Sequence, residues 1–231
     1  MKRLSISPSK LEGFRIFYEE EYNGVKTAED VIASIKGEFI RNEKMIMGSA
    51  YHQLIEHGGE RYKKWPAGSD QAIYEVREEE SKEVISFTHT EAEPALLFKA
   101  WHPDMVFEQW ANLEWGNVLG YDVSMKMRVD GMEGLVLYEN KTSHSSRRPT
   151  IDTYDRSTQW RCYLLAFPDA QCVEYNTFWR YYRKYVGFWK VEHDSFRFGR
   201  DPGMYQYCLE YMEGLIRFAE NQGIIEYLMI Q

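Results

Sequence analysis

The stretch Val129-Asp130-Gly131 is followed closely by the apolar run Leu135-Val136-Leu137-Tyr138 and then by Glu139-Asn140-Lys141-Thr142. Successive side chains of a strand point to opposite faces, so Glu139 and Lys141 are expected to project together while Asn140 points away. If Asp130 ends the preceding strand, a hairpin at Gly131 brings two carboxylates and one ammonium into one place. That set suits hydrolysis of a phosphodiester, which needs charge stabilised on the phosphoryl oxygens and a water made acidic near neutral pH; a divalent cation does both. Asp130 and Glu139 would be hard oxygen ligands, and the main-chain carbonyl of Asn140 could add another. Lys141 would orient the attacking water or stabilise the phosphorane, and any lowering of its pKa would come from burial and the nearby metal.

The elements that must carry these residues are readable in part. Val123, Met125, Met127 and Val129 alternate with Asp122, Ser124, Lys126 and Arg128, as in a half-buried strand. The run 135–138 suits a more central one. Ser7-Pro8 marks a first helix. Residues 43–57 form an amphipathic helix stopped at Gly58-Gly59, with Gly48 and His52 one turn apart. Residues 72–77 and 84–88 suggest a hairpin, 94–115 a helix interrupted near His102-Pro103, and 155–167 a helix sharing Gln159 and Tyr163 on one face. Strands near 172–182 and 185–192 and a helix over 202–221 complete the order, which implies α/β with a mixed sheet.

The 231 residues, 44% of them apolar, are expected to form a single domain over 1–231. No segment suggests a signal sequence or a membrane span, so a cytoplasmic location is expected. Cys162, Cys172 and Cys208 form no CxxC pair, which argues against disulfides, a zinc knuckle and an iron–sulfur cluster. A net charge of −8 speaks against a broadly basic nucleic-acid binder, yet residues 141–190 carry nine basic and four acidic side chains. Such a strip steers phosphate only over roughly 8–10 Å at physiological salt. Arg147, Arg148, Arg156 and Arg161 lie in it. Trp179-Arg180-Tyr181-Tyr182-Arg183-Lys184-Tyr185 fits either a stacking platform for single strands or a hairpin packed into the core. Trp160 is read as core, and His57, His89, His102, His144 and His193 are given no role.

Asp130 with Glu139-Asn140-Lys141 resembles the motif of the PD-(D/E)XK nuclease superfamily. Gly48 and His52 resemble the Gly-x-x-x-His helix of its RecB-like branch, and Gln159 and Tyr163 its Gln-x-x-x-Tyr helix. Ser5-Ile6-Ser7-Pro8-Ser9-Lys10-Leu11 is similar to that branch's N-terminal Ser-x-Ser-x-Leu. The four occur in the family's order over residues 5–163. The resemblance implies a restriction-endonuclease-like core, a mixed four-stranded sheet flanked by helices, with Asp130 and Glu139 as metal ligands and Lys141 catalytic. His52 would be a further ligand to a second metal or its water, and Gln159 and Tyr163 would position the nucleic acid or Lys141, with Arg147, Arg148 and Arg161 alongside. Imidazole beside carboxylates favours tolerance of Mn²⁺ as well as Mg²⁺.

The expectation is a metal-dependent DNA exonuclease, most like phage recombination exonucleases, in recombination, repair or phage DNA processing. The alternative is a catalytically inactive nucleic-acid-binding or recombination-accessory protein of the same fold. The acidic flanks leave room for a recombination or single-strand-binding protein as partner, and homo-oligomerisation stays open.

Overall fold

The computed structural model describes residues 2–19, 26–38, 40–69 and 71–230. Six strands form a mixed central sheet: β1 (Arg3–Ser5), β5 (Val106–Val118), β6 (Tyr121–Glu133), β7 (Val136–Ser143), β8 (Cys172–Arg183) and β9 (Phe188–Gly199). The order runs β1-β6-β7-β8-β9, with β5 on the other edge of β6; β1 lies parallel to β6 and β7 parallel to β8, the remaining pairs antiparallel. Seven helices flank it among the described residues: α1 (Pro8–Tyr18), α2 (Ala28–Lys36), α3 (Glu43–His57), α4 (His89–Trp101), α5 (Ile151–Asp155), α6 (Thr158–Ala166) and α7 (Met204–Asn221). A separate antiparallel sheet joins β2 (Lys63–Lys64), β3 (Ile73–Arg77) and β4 (Val84–Thr88). The mixed α/β architecture is the expected one, with six strands where the resemblance implied four.

Two apolar layers hold the sheet. Val123, Met125, Met127 and Val129 of β6 and Leu137 of β7 are buried with Leu11 of α1, Leu164 of α6 and Leu215 of α7. The second cluster packs Tyr51 and Leu54 of α3, Phe98 of α4 and Phe87 of β4 against Tyr138 and Phe178 of the main sheet. Burying a side chain such as Phe98 contributes about 1.5–3 kcal/mol. No helix of the described residues is long and apolar enough to cross a membrane.

Local chemistry explains the well-placed elements. Ser7 accepts from Lys10 N–H with Pro8 in the first turn of α1. Asn42 caps α3 and Gly58, at φ +74°, ends it. The expectation for 94–115 needs correction. The helix stops at Trp101, and residues 106–118 form β5, paired with β6 along nearly its whole length. Phe107, Gln109, Ala111 and Leu113 are half-buried between exposed neighbours, a period of two that the aromatic content of the segment had masked. α2, capped by Thr27 and Asp30, was not foreseen either.

Candidate active site

The site lies at a fork in the sheet. β6 and β7 pair only from Glu133↔Val136 to Gly131↔Tyr138, while β7 continues alongside β8 through Ser143↔Trp179. One residue past the last pair, the Asp130 carboxylate takes over the role of the ladder. Its Oδ2 accepts from Asn140 N–H at 2.7 Å. The fork opens into a cleft of about 810 Å³ lined by His52, Asp130, Glu139 and Lys141, among others.

Glu139 and Lys141 share a side of β7, and Lys141 Nζ lies 2.5 Å from Glu139 Oε1. Helix α6 closes on this pair. Ser157 caps it by accepting from Gln159 N–H, and Glu12 of α1 accepts from both Thr158 N–H at 2.7 Å and Thr158 Oγ1 at 2.8 Å. The carboxylate at the positive end of a helix is favourable, and it ties α1 to the element carrying Gln159. Gln159 Nε2 donates to Glu139 Oε1 at 3.0 Å and to Tyr163 Oη at 2.7 Å, while its Oε1 accepts from Lys141 Nζ at 2.9 Å. Glu139 is 5% exposed, and its other oxygen, Oε2, is buried with no hydrogen-bond partner.

On the other side of β7, α3 comes close because position 48 is glycine: a Cβ there would sit 2.5 Å from Thr142 Oγ1. One turn later His52 Nδ1 lies 3.7 Å from Asp130 Oδ2, and the ring also meets the Asn140 main chain. The Asn140 side chain is buried, with Oδ1 unpartnered.

Burial dominates the electrostatics. It lifts the carboxyls of Asp130 and Glu139 above their ordinary values, against the pull of Lys141 on both and of Asn140 N–H on Asp130. Burial also works to lower Lys141, but the Glu139 carboxylate outweighs it and the ammonium ends above its usual value. His52 is lowered by desolvation to about 4, so its imidazole is neutral at neutral pH and keeps a lone pair.

No three His, Cys, Asp or Glu side chains among the described residues are close enough to form a ready-made metal cage. The donor chemistry nevertheless suits a divalent cation: two carboxylates of raised proton affinity, one with an orphaned buried oxygen, and a neutral imidazole line one cleft.

The arginines divide. Arg147 is exposed in the loop after β7. Arg148 is engaged on β9, with Nε and Nη2 each 2.7 Å from the Asp194 carboxylate and Nη1 3.1 Å from Glu192. Arg161 is not brought to the cleft at all; its guanidinium is packed between Trp160 and Tyr207 and donates to the carbonyls of Asp155 and Ser157 at 2.9 and 2.8 Å. Trp160 is core, stacked on Phe198. In the aromatic hairpin Trp179, Arg180 and Tyr181 are half-buried while Tyr182, Arg183, Lys184 and Tyr185 are exposed, so the stretch is not packed into the core.

Arg128 and Glu108 also line the cleft, beyond the residues that the motifs single out. Arg128 stands two residues before Asp130 on the same face of β6, a position that alternation alone could have flagged. Glu108 lies in β5, within the span whose aromatic content suggests a helix; it has φ +54° and ion-pairs with Arg128.

No known family model matches the chain, and no curated protein is significantly similar in sequence. Among solved structures it is similar to SSO0001, with a TM-score of 0.49 and 16% identity over 94% of this chain and 77% of that one. It is also similar to an alkaline exonuclease, LHK-Exo, from Laribacter hongkongensis, with a TM-score of 0.42 and 14% identity over 97% of this chain and 91% of that one. The same enzyme in complex with dAMP gives 0.41 and 13% over 96% and 90%. Similarity at this level leaves function to be decided by the side chains themselves.

Proposed function

We propose that this protein is a metal-dependent nuclease that hydrolyses phosphodiester bonds of DNA from an end, in the manner of the RecB-like branch of the PD-(D/E)XK superfamily, and serves recombination, repair or phage DNA processing. One observation carries the reading: Glu139 is clamped through one oxygen by Lys141 and Gln159 while its second oxygen is left buried and unpartnered in the cleft it shares with Asp130. An unsatisfied buried carboxylate oxygen costs free energy unless a ligand completes it.

Asp130 and Glu139, with His52, would hold Mg²⁺ or Mn²⁺. The chemistry supplied by such a cation is charge stabilisation on the phosphoryl group and a water acidic enough to attack near neutral pH. The chain's own residues do the rest. Asn140 N–H fixes the Asp130 carboxylate, and Gln159, itself bonded to the Tyr163 hydroxyl, fixes that of Glu139. Lys141, held charged by Glu139, is the donor available to developing charge on a phosphoryl oxygen.

The test is digestion of end-labelled linear and circular DNA by wild type, Lys141→Ala and Asp130→Ala in Mg²⁺, Mn²⁺ or chelator. Linear DNA should be degraded, circles spared, and both variants inactive. Equal degradation by Lys141→Ala would overturn the mechanism and favour the inactive DNA-binding alternative with a contaminating activity; cutting of circles would overturn the exonuclease assignment.

A further inference from the structure

The face of β6 that looks away from the α1, α6 and α7 layer is open. Met125, Met127 and Val129 are buried, whereas Lys126 and Arg128 between them are exposed and lead to Asp130 at the fork. Residues two apart on a strand lie about 6.5 Å from one another on one face. The sequence Lys126, Arg128, Asp130 is therefore a row of two cations ending at a carboxylate of the cleft.

Trp110 of β5 pairs with Arg128 in register and so stands on the same face. Its indole is 57% exposed, with Lys126 Nζ 4.6 Å and Arg128 Cζ 5.7 Å from the ring centroid. An indole this open, away from both apolar clusters, contributes little to the core. Both cations lie over its ring, and through Arg128 it is continuous with the cleft.

We infer that the β5–β6 face is a track for a single-stranded polynucleotide, on which Trp110 stacks an unpaired base while Lys126 and Arg128 hold its phosphates and direct the strand to Asp130. The inference rests on the nuclease reading for its purpose but not for its test. Stacking on an exposed ring requires a base free of its duplex partner, and the two cations complement a backbone that the overall −8 charge of the chain would otherwise repel. Glu108 opposes the track. It neutralises Arg128 through an ion pair whose side chains are 48% and 46% exposed, weak enough for phosphate to displace.

Binding of fluorescein-labelled oligothymidylate, measured by anisotropy in EDTA so that no cleavage intervenes, decides the matter. Trp110→Ala should weaken binding about tenfold or more without altering its salt dependence, and Trp110→Phe should retain most of the affinity. Lys126→Gln and Arg128→Gln should each flatten the slope of log K against log salt by about 0.7. Glu108→Gln should tighten binding, an outcome that a merely structural role does not produce. Unchanged affinity in Trp110→Ala, unchanged slopes in the cation variants, or tighter binding of blunt duplex than of oligothymidylate would each overturn the track. Wild type that cleaves no DNA yet shows these dependences would retire the nuclease reading alone; cleavage with binding indifferent to Trp110 would retire the track alone.

Discussion

Asn140 N–H donates to the Asp130 carboxylate at 2.7 Å, one residue beyond the last β6–β7 pair, so a side chain closes the ladder where the two strands part. The same carboxylate is proposed to face a cation, which gives Asp130 two separable jobs. Asp130→Asn keeps an acceptor for Asn140 N–H and loses the charge. Asp130→Ala loses both, at about 1–3 kcal/mol for the orphaned donor, or roughly 2–4 °C of Tm per kcal/mol in a chain of this size. Calorimetric Mn²⁺ titration should show binding abolished in both variants, and thermal unfolding should show destabilisation in Asp130→Ala only. Mn²⁺ binding of wild-type strength by Asp130→Asn would remove Asp130 from the ligand set.

Gly48 is where α3 touches β7. Gly48→Ala would put a methyl 2.5 Å from Thr142 Oγ1, and the backbone must shift, at about 1–3 kcal/mol. Adding Thr142→Ala removes the obstructing hydroxyl and should restore much of that loss, a coupling readable in a double-mutant cycle by urea unfolding. If the two effects simply add, the glycine is not there for this approach.

Gln159 touches both Glu139 and Lys141, so it acts through them. Gln159→Ala should lower metal affinity or turnover about 10–100-fold, as loss of a ligand's supporting partner does. Single-turnover cleavage across an Mn²⁺ titration separates the two effects, with the fold monitored by circular dichroism. Wild-type behaviour in both readouts would reduce Gln159 to packing.

Glu78 is buried at the cleft rim. Burial would raise its carboxyl, but the Ser81 N–H, Ser49 Oγ and Arg41 outweigh it and hold the group at about 2, against an ordinary 4.5. A depressed carboxyl contributes stability that is full above the unfolded value and vanishes as pH falls through the folded one. Glu78→Gln should therefore be less stable than wild type at neutral pH, with the gap closing between pH 4.5 and about 2 in denaturant unfolding. A gap constant over that window would mean that Glu78 acts as a neutral hydrogen-bonding group.

Patterns contained within one element were legible from the sequence. The bounds of α3 follow from its apolar spacing and Gly58, β6 from strict alternation, and the shared side of Glu139 and Lys141 from the strand period. The side of β6 that Arg128 shares with Asp130 follows from the same rule. Three features depended on distant partners. Residues 106–118 became a strand because β6 offered its whole length as a template, and Arg161 turned inward because Tyr207, far along the chain, completes its slot. The fork that separates Asp130 from Glu139 exists because β7 leaves β6 to follow β8. Periodicity fixes which side of an element a residue occupies, since that depends on backbone geometry alone. What lies opposite that side is set by long-range pairing and packing, so only the tertiary structure decided it.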